Sequence, residues 1–364
     1  MKRLFLILFL AASALAQSPR PLRPVHTFSI VARDPQTGEI GAAVQSHWFS
    51  VGSSVIWAEP GVGAVATQSF IDPSYGPNGL ALMRNGKSAG EALQGLLAMD
   101  CGNNVRQVAF IDAKGMVATW TGAADIPAAG GIAGNHSGGF SAPGCGCGAA
   151  PDCAQPAKVP TSGAGQFGHD FAVQANLMAN NRVWPAMDEA FRQTRGDLAE
   201  RMLAALDAAQ AAGGDIRGRQ SAALIVVSGD RSKRPWEKIF DVRVDDAPQP
   251  LVELRRLVAL QRAYNHMNAG DAAVERKDNE GALRQYAAAE AIAAKTDGVP
   301  QSRLAEMIYW HAVALVNMKR VDESLPLFKR VFQMDNNWRE LTRRLPKVGL
   351  LPDDAKVIDR IAAQ

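Results

Sequence analysis

Three pairs of alternating apolar and polar runs open the globular part of the chain, each pair broken by a short turn-forming stretch. TFSIVARD and EIGAAVQS flank PQTG, SSVIWAE and GAVATQSF flank PGV, and VRQVAFID and MVATWTG flank AKG. Period-two alternation broken by Gly, Pro, Asp and Asn predicts β-hairpins, and three in succession predict antiparallel sheet. Between the second and third, Ser88 followed by Glu91 ahead of an apolar run is a capping box. It predicts a helix from Ala89 to Ala98, preceded by a shorter one. GHDFAVQANLMA reads as one strand ending near Asn176; helices follow over Val183–Thr194 and Asp197–Ala212, and QSAALIVVSG and KIFDVRVDD close the block as strands. Strands and helices in separate groups give an α+β layered domain, and two stacked sheets with helices outside would be an αββα four-layer sandwich.

Two segments break this rhythm. From Gly134 to Gly165 the composition turns to Gly, Ala, Pro, Ser and Cys, the mark of a long loop insertion. Beyond Ala247–Pro250 the pattern becomes helical, and GDAAVERKDNEGALRQYAAAEAI from Gly270 aligns with AVALVNMKRVDESLPLFKRVFQM from Ala312. Small or apolar residues coincide at Ala272/Ala314, Leu283/Leu325 and Tyr286/Phe328, an offset of 42 residues. Tetratricopeptide repeats, helix pairs of about 34 residues, have this character; a plain helical bundle is the alternative. The expected organisation is residues 1–16 as a signal peptide, 17–25 as an extended lead, 26–256 as the sandwich with its insertion at 134–165, and 257–364 as a small all-α helical-repeat domain.

The front end bears on location. A basic MKRL, the apolar FLILFLAASA and the small residues Ala14 and Ala16 have the form of a secretory signal cut after Ala16. Export, periplasmic or extracellular, is the expectation, with no membrane anchor. Hydrophobic residues make up 47% and charged residues 21%, so the chain is globular, and a net charge of +3 without basic–aromatic runs gives no reason to expect nucleic acid. Of the four cysteines, Cys145, Cys147 and Cys153 crowd into GCGCGAAPDC and Cys101 stands apart. In an exported chain disulfides are favoured over a metal site, for which no histidine is suitably spaced; the pairing is open.

TFSIVARDPQTGEIGAAVQS, GVGAVATQSFIDPSYGPNGL, VQANLMA, GGDIRGRQSAAL and VDDAPQPLVELRRL together resemble the family known as domain of unknown function 1028, in that family's order, over about Thr27 to Leu257. The resemblance implies the Ntn-hydrolase fold, the αββα sandwich of N-terminal-nucleophile amidohydrolases. In such enzymes the first residue of the first strand supplies both the nucleophilic side chain and, through its free amine, the general base. Thr27 fills that position by resemblance; the alternative is a strand residue of high β propensity. Gln17 to His26 would precede it after signal removal, so a second cut at His26–Thr27 is required.

Around Thr27 the residues suggest support groups, each with a structural alternative. Ser29 shares its face and either bonds in the site or pairs across the sheet. Ser46, Thr67 and Gln68 lie at strand ends beside it, or are ordinary polar alternation. His47 is no required base for such a nucleophile. Asn176, an amide in an apolar strand, is the candidate oxyanion donor, unless it binds a neighbouring loop. Asp215 and Arg217 either orient the amine, grip a substrate carboxylate, or pin their own loop. Tyr75 lines a pocket or caps the core. No cofactor or metal is implied. The functional expectation is an exported amide hydrolase acting on a small amide or peptide-like substrate. Its alternative is a non-catalytic ligand- or wall-binding module whose helical tail docks a protein. A homo-oligomer is compatible with either.

Overall fold

The computed structural model describes residues 25–141 and 163–364. The signal peptide expected over 1–16, the lead expected over 17–25 up to its last residue, and Cys145, Cys147 and Cys153 lie outside the described residues; Val25, the end of that lead, is described and bridges to Ser69. The chain is mixed α and β, with two six-stranded antiparallel sheets and, among the described residues, ten α-helices.

All three predicted hairpins form. β1 (Thr27–Arg33) pairs with β2 (Ile40–Ser46), β3 (Ile56–Glu59) with β4 (Gly63–Ser69), and β5 (Arg106–Asp112) with β6 (Met116–Gly122). The first hairpin enters one sheet and the other two build the second. With β7 (Gly130–Ala133), β8 (Gly138–Phe140), β9 (Gly163–His169), β10 (Phe171–Ala175), β11 (Ser221–Val227) and β12 (Lys238–Val244), the orders are β12-β11-β2-β1-β10-β7 and β3-β4-β5-β6-β9-β8.

Alternation along each strand sends its side chains to two different cores. On β1, Phe28, Ile30 and Ala32 join an apolar cluster with α3 (Val183–Gln193), α4 (Leu198–Ala211) and the start of α5 (Pro250–Glu275). Val31 turns the other way, into a cluster shared with Ala64, Ala66, Ala109 and Ile111 of the second sheet. That sheet's far face carries Val65, Val108, Phe110 and Trp120 against α1 (Tyr75–Arg84) and α2 (Ala89–Met99). Ser88 caps α2 as expected, accepting from the Glu91 amide while Glu91 reaches back.

Three sequence expectations need correction. GHDFAVQANLMA is two strands, β9 and β10, because Asp170 adopts a left-handed φ of 72° between them and passes the chain from one sheet to the other. The segment expected as a loop insertion contributes β8 and the start of β9, because glycines, having no side chain, still pair through their backbone while giving no apolar alternation. The change of character at Ala247–Pro250 is the start of α5, which runs unbroken past residue 257: Leu254 and Val258 pack on the first sheet's core, Ala263 and Met267 on the tail's.

In the tail, α5 leads to α6 (Asn279–Lys295), and α7 (Gln301–Asn317) leads to α8 (Val321–Met334). The two turns match at the aligned offset, with Lys277 at φ 62° and Lys319 at φ 64°. Tyr286 and Phe328 are both buried. A Cβ on Gly270 would stand 2.7 Å from the Tyr286 ring, so the close approach of α5 and α6 requires glycine there. α9 (Asn337–Arg344) and α10 (Ala355–Ala362) follow. No described helix is long and apolar enough to cross a membrane.

Candidate active site at the start of the first strand

Thr27 opens β1 opposite Ser46 at the end of β2, on the face directed between the sheets, and neither residue is exposed. Its hydroxyl donates to the Val25 carbonyl (2.9 Å). Its own carbonyl accepts the Asn176 backbone N–H (3.1 Å) and Gln68 Nε2 (3.0 Å). The peptide bond before it is held as firmly. The His26 carbonyl accepts the Ser46 hydroxyl (2.5 Å) and Arg217 Nη2 (2.8 Å).

Arg217 is aimed by Asp215. The pair is bidentate, Nε to Oδ1 at 3.0 Å and Nη2 to Oδ2 at 2.7 Å. Asp215 also accepts the His47 and Arg217 backbone amides (3.1 and 2.9 Å). A fork-shaped, permanently charged donor fixed on both prongs loses little freedom when it meets an oxyanion. The His26 ring is buried, its Nδ1 2.9 Å from Asn176 Oδ1 and its plane edge-on to Phe70. Burial lowers its pKa, partly countered by the Asn176 bond, so the ring is neutral at pH 7. Upstream, Val25 pairs with Ser69 through both backbone bonds.

Behind Thr27 a chain of amides fills the gap between the sheets. Ser29 donates to Gln68 Oε1 (2.6 Å), and Gln68 Nε2 and Asn176 Nδ2 both donate to Gln107 Oε1 (2.6 and 2.9 Å). Gln107 Nε2 reaches Thr121 and the Ala175 carbonyl. Gln174 Nε2 reaches Ser29 and the Ala66 carbonyl. Such a buried network, fully bonded, fixes each member's orientation.

Seven of the sequence candidates therefore converge: Thr27, Ser29, Ser46, Gln68, Asn176, Asp215 and Arg217. Thr67 does not. It neighbours Gln68 on β4, so alternation turns it to the opposite face, where its hydroxyl lies 3.4 Å from the Asp72 carbonyl. Tyr75 is also elsewhere: buried on the helix side, it donates to Asp100 (3.0 Å), which Arg106 also grips. Burial and that carboxylate push its pKa well above the usual phenol value. Asn176 meets the His26 ring and Gln107 with its side chain, leaving the His26 carbonyl to Ser46 and Arg217. Cys101 is disulfide-bonded. Among the described residues no cluster of three or more His, Cys, Asp or Glu is placed to hold a metal ion.

Gln107 and Gln174 escaped the sequence reading. Each is polar on a strand whose other same-face residues are apolar (Ala109 and Ile111 beside Gln107, Ala172 beside Gln174), and that pattern was the available signal. Arg217's bond to the His26 carbonyl spans 191 residues and had no local signature.

The site thus holds one peptide carbonyl on two donors, one neutral and one charged, placed where negative charge on that oxygen would be stabilised. Residues 27–139 and 155–254 match the family of unknown function DUF1028, and the chain belongs to it. A crystal structure of that family, protein SPO2555 from Silicibacter pomeroyi, is similar at 28% identity with a TM-score of 0.47, over 64% of this chain and 84% of that one. Among curated proteins none matches.

Proposed function

We propose that this protein is an exported amide hydrolase with Thr27 as an N-terminal nucleophile, freed by self-cleavage at His26–Thr27. On this reading the two facing sheets and their outer helices are the αββα sandwich of Ntn hydrolases, and α5 to α8 are two tetratricopeptide-like pairs available to a protein partner. One observation carries it: the carbonyl of the bond to be cut already accepts the Ser46 hydroxyl and the Arg217 guanidinium, while the nucleophile belongs to the same peptide.

Thr27 Oγ1 adds to the His26 carbonyl carbon, and the negative charge on that oxygen falls to Ser46 and Arg217. The C–N bond breaks as the Thr27 nitrogen takes up the proton that the Thr27 hydroxyl gave up on attack, leaving an ester. Water hydrolyses the ester to a His26 carboxylate and a free Thr27. In turnover the Thr27 amine, whose ordinary pKa is about 8, takes the proton of its own hydroxyl as that oxygen attacks a substrate amide.

The test is intact mass and N-terminal sequence after expression with the native leader. The wild-type chain is expected to begin at Thr27. Thr27→Ala is expected to remain uncut yet folded, losing one hydrogen bond and one buried methyl, about 2 kcal/mol together. A variant cut at the same place as the wild type would sink the self-cleavage step. Should the wild type itself remain uncut, its Val25–Ser69 pairing would favour the binding-module alternative.

A further inference from the structure

Val25 and His26 sit in the site as an acyl group sits in an enzyme of this kind. The ester formed when Thr27 Oγ1 takes the His26 acyl group is chemically the same species as the acyl-enzyme from an external peptide ending in Val-His. The hydrolytic half of the two reactions is identical, so the contacts now made by Val25 and His26 are the contacts available to a substrate's acyl side. We propose, resting on the Thr27 reading, that the slot they fill is the acyl-side binding site. Its substrates are extended peptide amides with a ring-bearing, hydrogen-bonding residue before the scissile bond and a small aliphatic residue before that.

Each part of that description has a residue behind it. The extended form comes from Ser69, whose backbone N–H and carbonyl both bond Val25 (2.9 and 2.6 Å). An aliphatic side chain is required because Val25 is buried in the apolar cluster between the sheets that also holds Val44 and Ala66. The flat ring is read by the edge-on Phe70 at 6.3 Å between centroids, and its polar atom by Asn176 Oδ1. Carbonyl orientation comes from Ser46 and Arg217. The reaction consumes water and releases acyl-Val-His acid and a free amine.

Two readouts on protein shown by mass to begin at Thr27 separate this inference from the reading beneath it. The first is calorimetric binding of acetyl-Val-His, the product acid. The second is Thr27-dependent hydrolysis of coumarin amides of acetyl-Val-His, acetyl-Val-Ala and acetyl-Gly-His. Acetyl-Val-His is expected to bind, and the Ala and Gly replacements to weaken binding and kcat/KM about tenfold each, the scale of losing one buried partner. Uncut Thr27→Ala is expected not to bind the peptide, because its own chain fills the slot. Equal hydrolysis of all three amides without binding of acetyl-Val-His overturns the inference and leaves the nucleophile standing. A chain that never begins at Thr27 overturns both.

Discussion

Asp125 offers the sharpest quantitative test of the packing around the site. It lies in the β6–β7 connection and accepts the Ser69 hydroxyl on Oδ1 at 2.7 Å, behind the residue that pairs with Val25. Its Oδ2 is buried and finds no partner among the described residues. Burial therefore pushes its pKa up from 3.8 to about 7, against the lowering effect of the Ser69 bond. The sign follows from proton linkage. Between about pH 4 and 7 the folded state keeps the proton while the unfolded chain releases it, so stability falls as pH rises through that window. About three powers of ten in proton affinity, at about 1.4 kcal/mol each, put the full loss near 4 kcal/mol. Asp125→Asn keeps an acceptor for Ser69 and carries no charge. In urea titrations followed by tryptophan fluorescence it is expected to exceed the wild type by about 1 kcal/mol at pH 4.5, where the unfolded Asp is already mostly ionised, and by about 4 kcal/mol at pH 8. Subtracting wild type from variant cancels every other titrating group. A stability difference that does not change with pH would refute a neutral buried acid at this position.

Further consequences can be checked on the same protein. Both amide atoms of Gln45 are buried without partners among the described residues, on the β2 face that carries Ala43 against the helices. Gln45→Met keeps the length and is expected to stabilise by about 1 to 2 kcal/mol in urea melts; a loss of stability would mean the amide is satisfied. Arg217→Met leaves the unexposed Asp215 carboxylate with backbone donors alone and removes one donor from the His26 carbonyl. It is expected to cost about 2 to 4 kcal/mol in the same melts, with cleavage at His26–Thr27 slowed at least a hundredfold by intact mass. Folded variant cut at the wild-type rate would remove Arg217 from the proposed step. Arg255 bridges α5 to Glu200 and Asp207 of α4 with its side chain partly exposed, so Arg255→Ala is expected to cost no more than about 1 kcal/mol.

What could be read in advance divides along the range of the interactions. Hairpins and the Ser88 cap depend on neighbours within a few residues, and there pattern and structure coincide. β9 and β10 were fused because Asp170, a residue that tolerates left-handed backbone, gives the same local signal in a strand-end turn as inside a polar alternation. The site was half legible. Ser46, Gln68 and Asn176 stood out as polar positions at the ends of apolar strands. Thr67 was drawn in with them because adjacency in sequence conceals opposite faces on a strand. Gln107 was passed over because one glutamine in an apolar strand gives no hint of the partners it finds across the gap between sheets.

The long-range part of the site bears on the order of events. Ser46 reaches the His26 carbonyl from the neighbouring strand of one hairpin, a contact available as soon as β1 and β2 pair. Arg217 comes from the loop between α4 and β11, and β11 must pair with β2 before that loop is in place. On the proposed chemistry, Ser46 alone leaves the developing oxyanion with a single neutral donor, and the charged donor arrives only once the first sheet is complete. Self-cleavage would then follow folding, and uncut chain would mark molecules whose β11 had not docked. Pulse-labelled chain is expected to acquire protease resistance in its two sheets before it loses the residues ahead of Thr27. Cleavage that precedes protection would show that the Asp215–Arg217 loop is not needed for the cut.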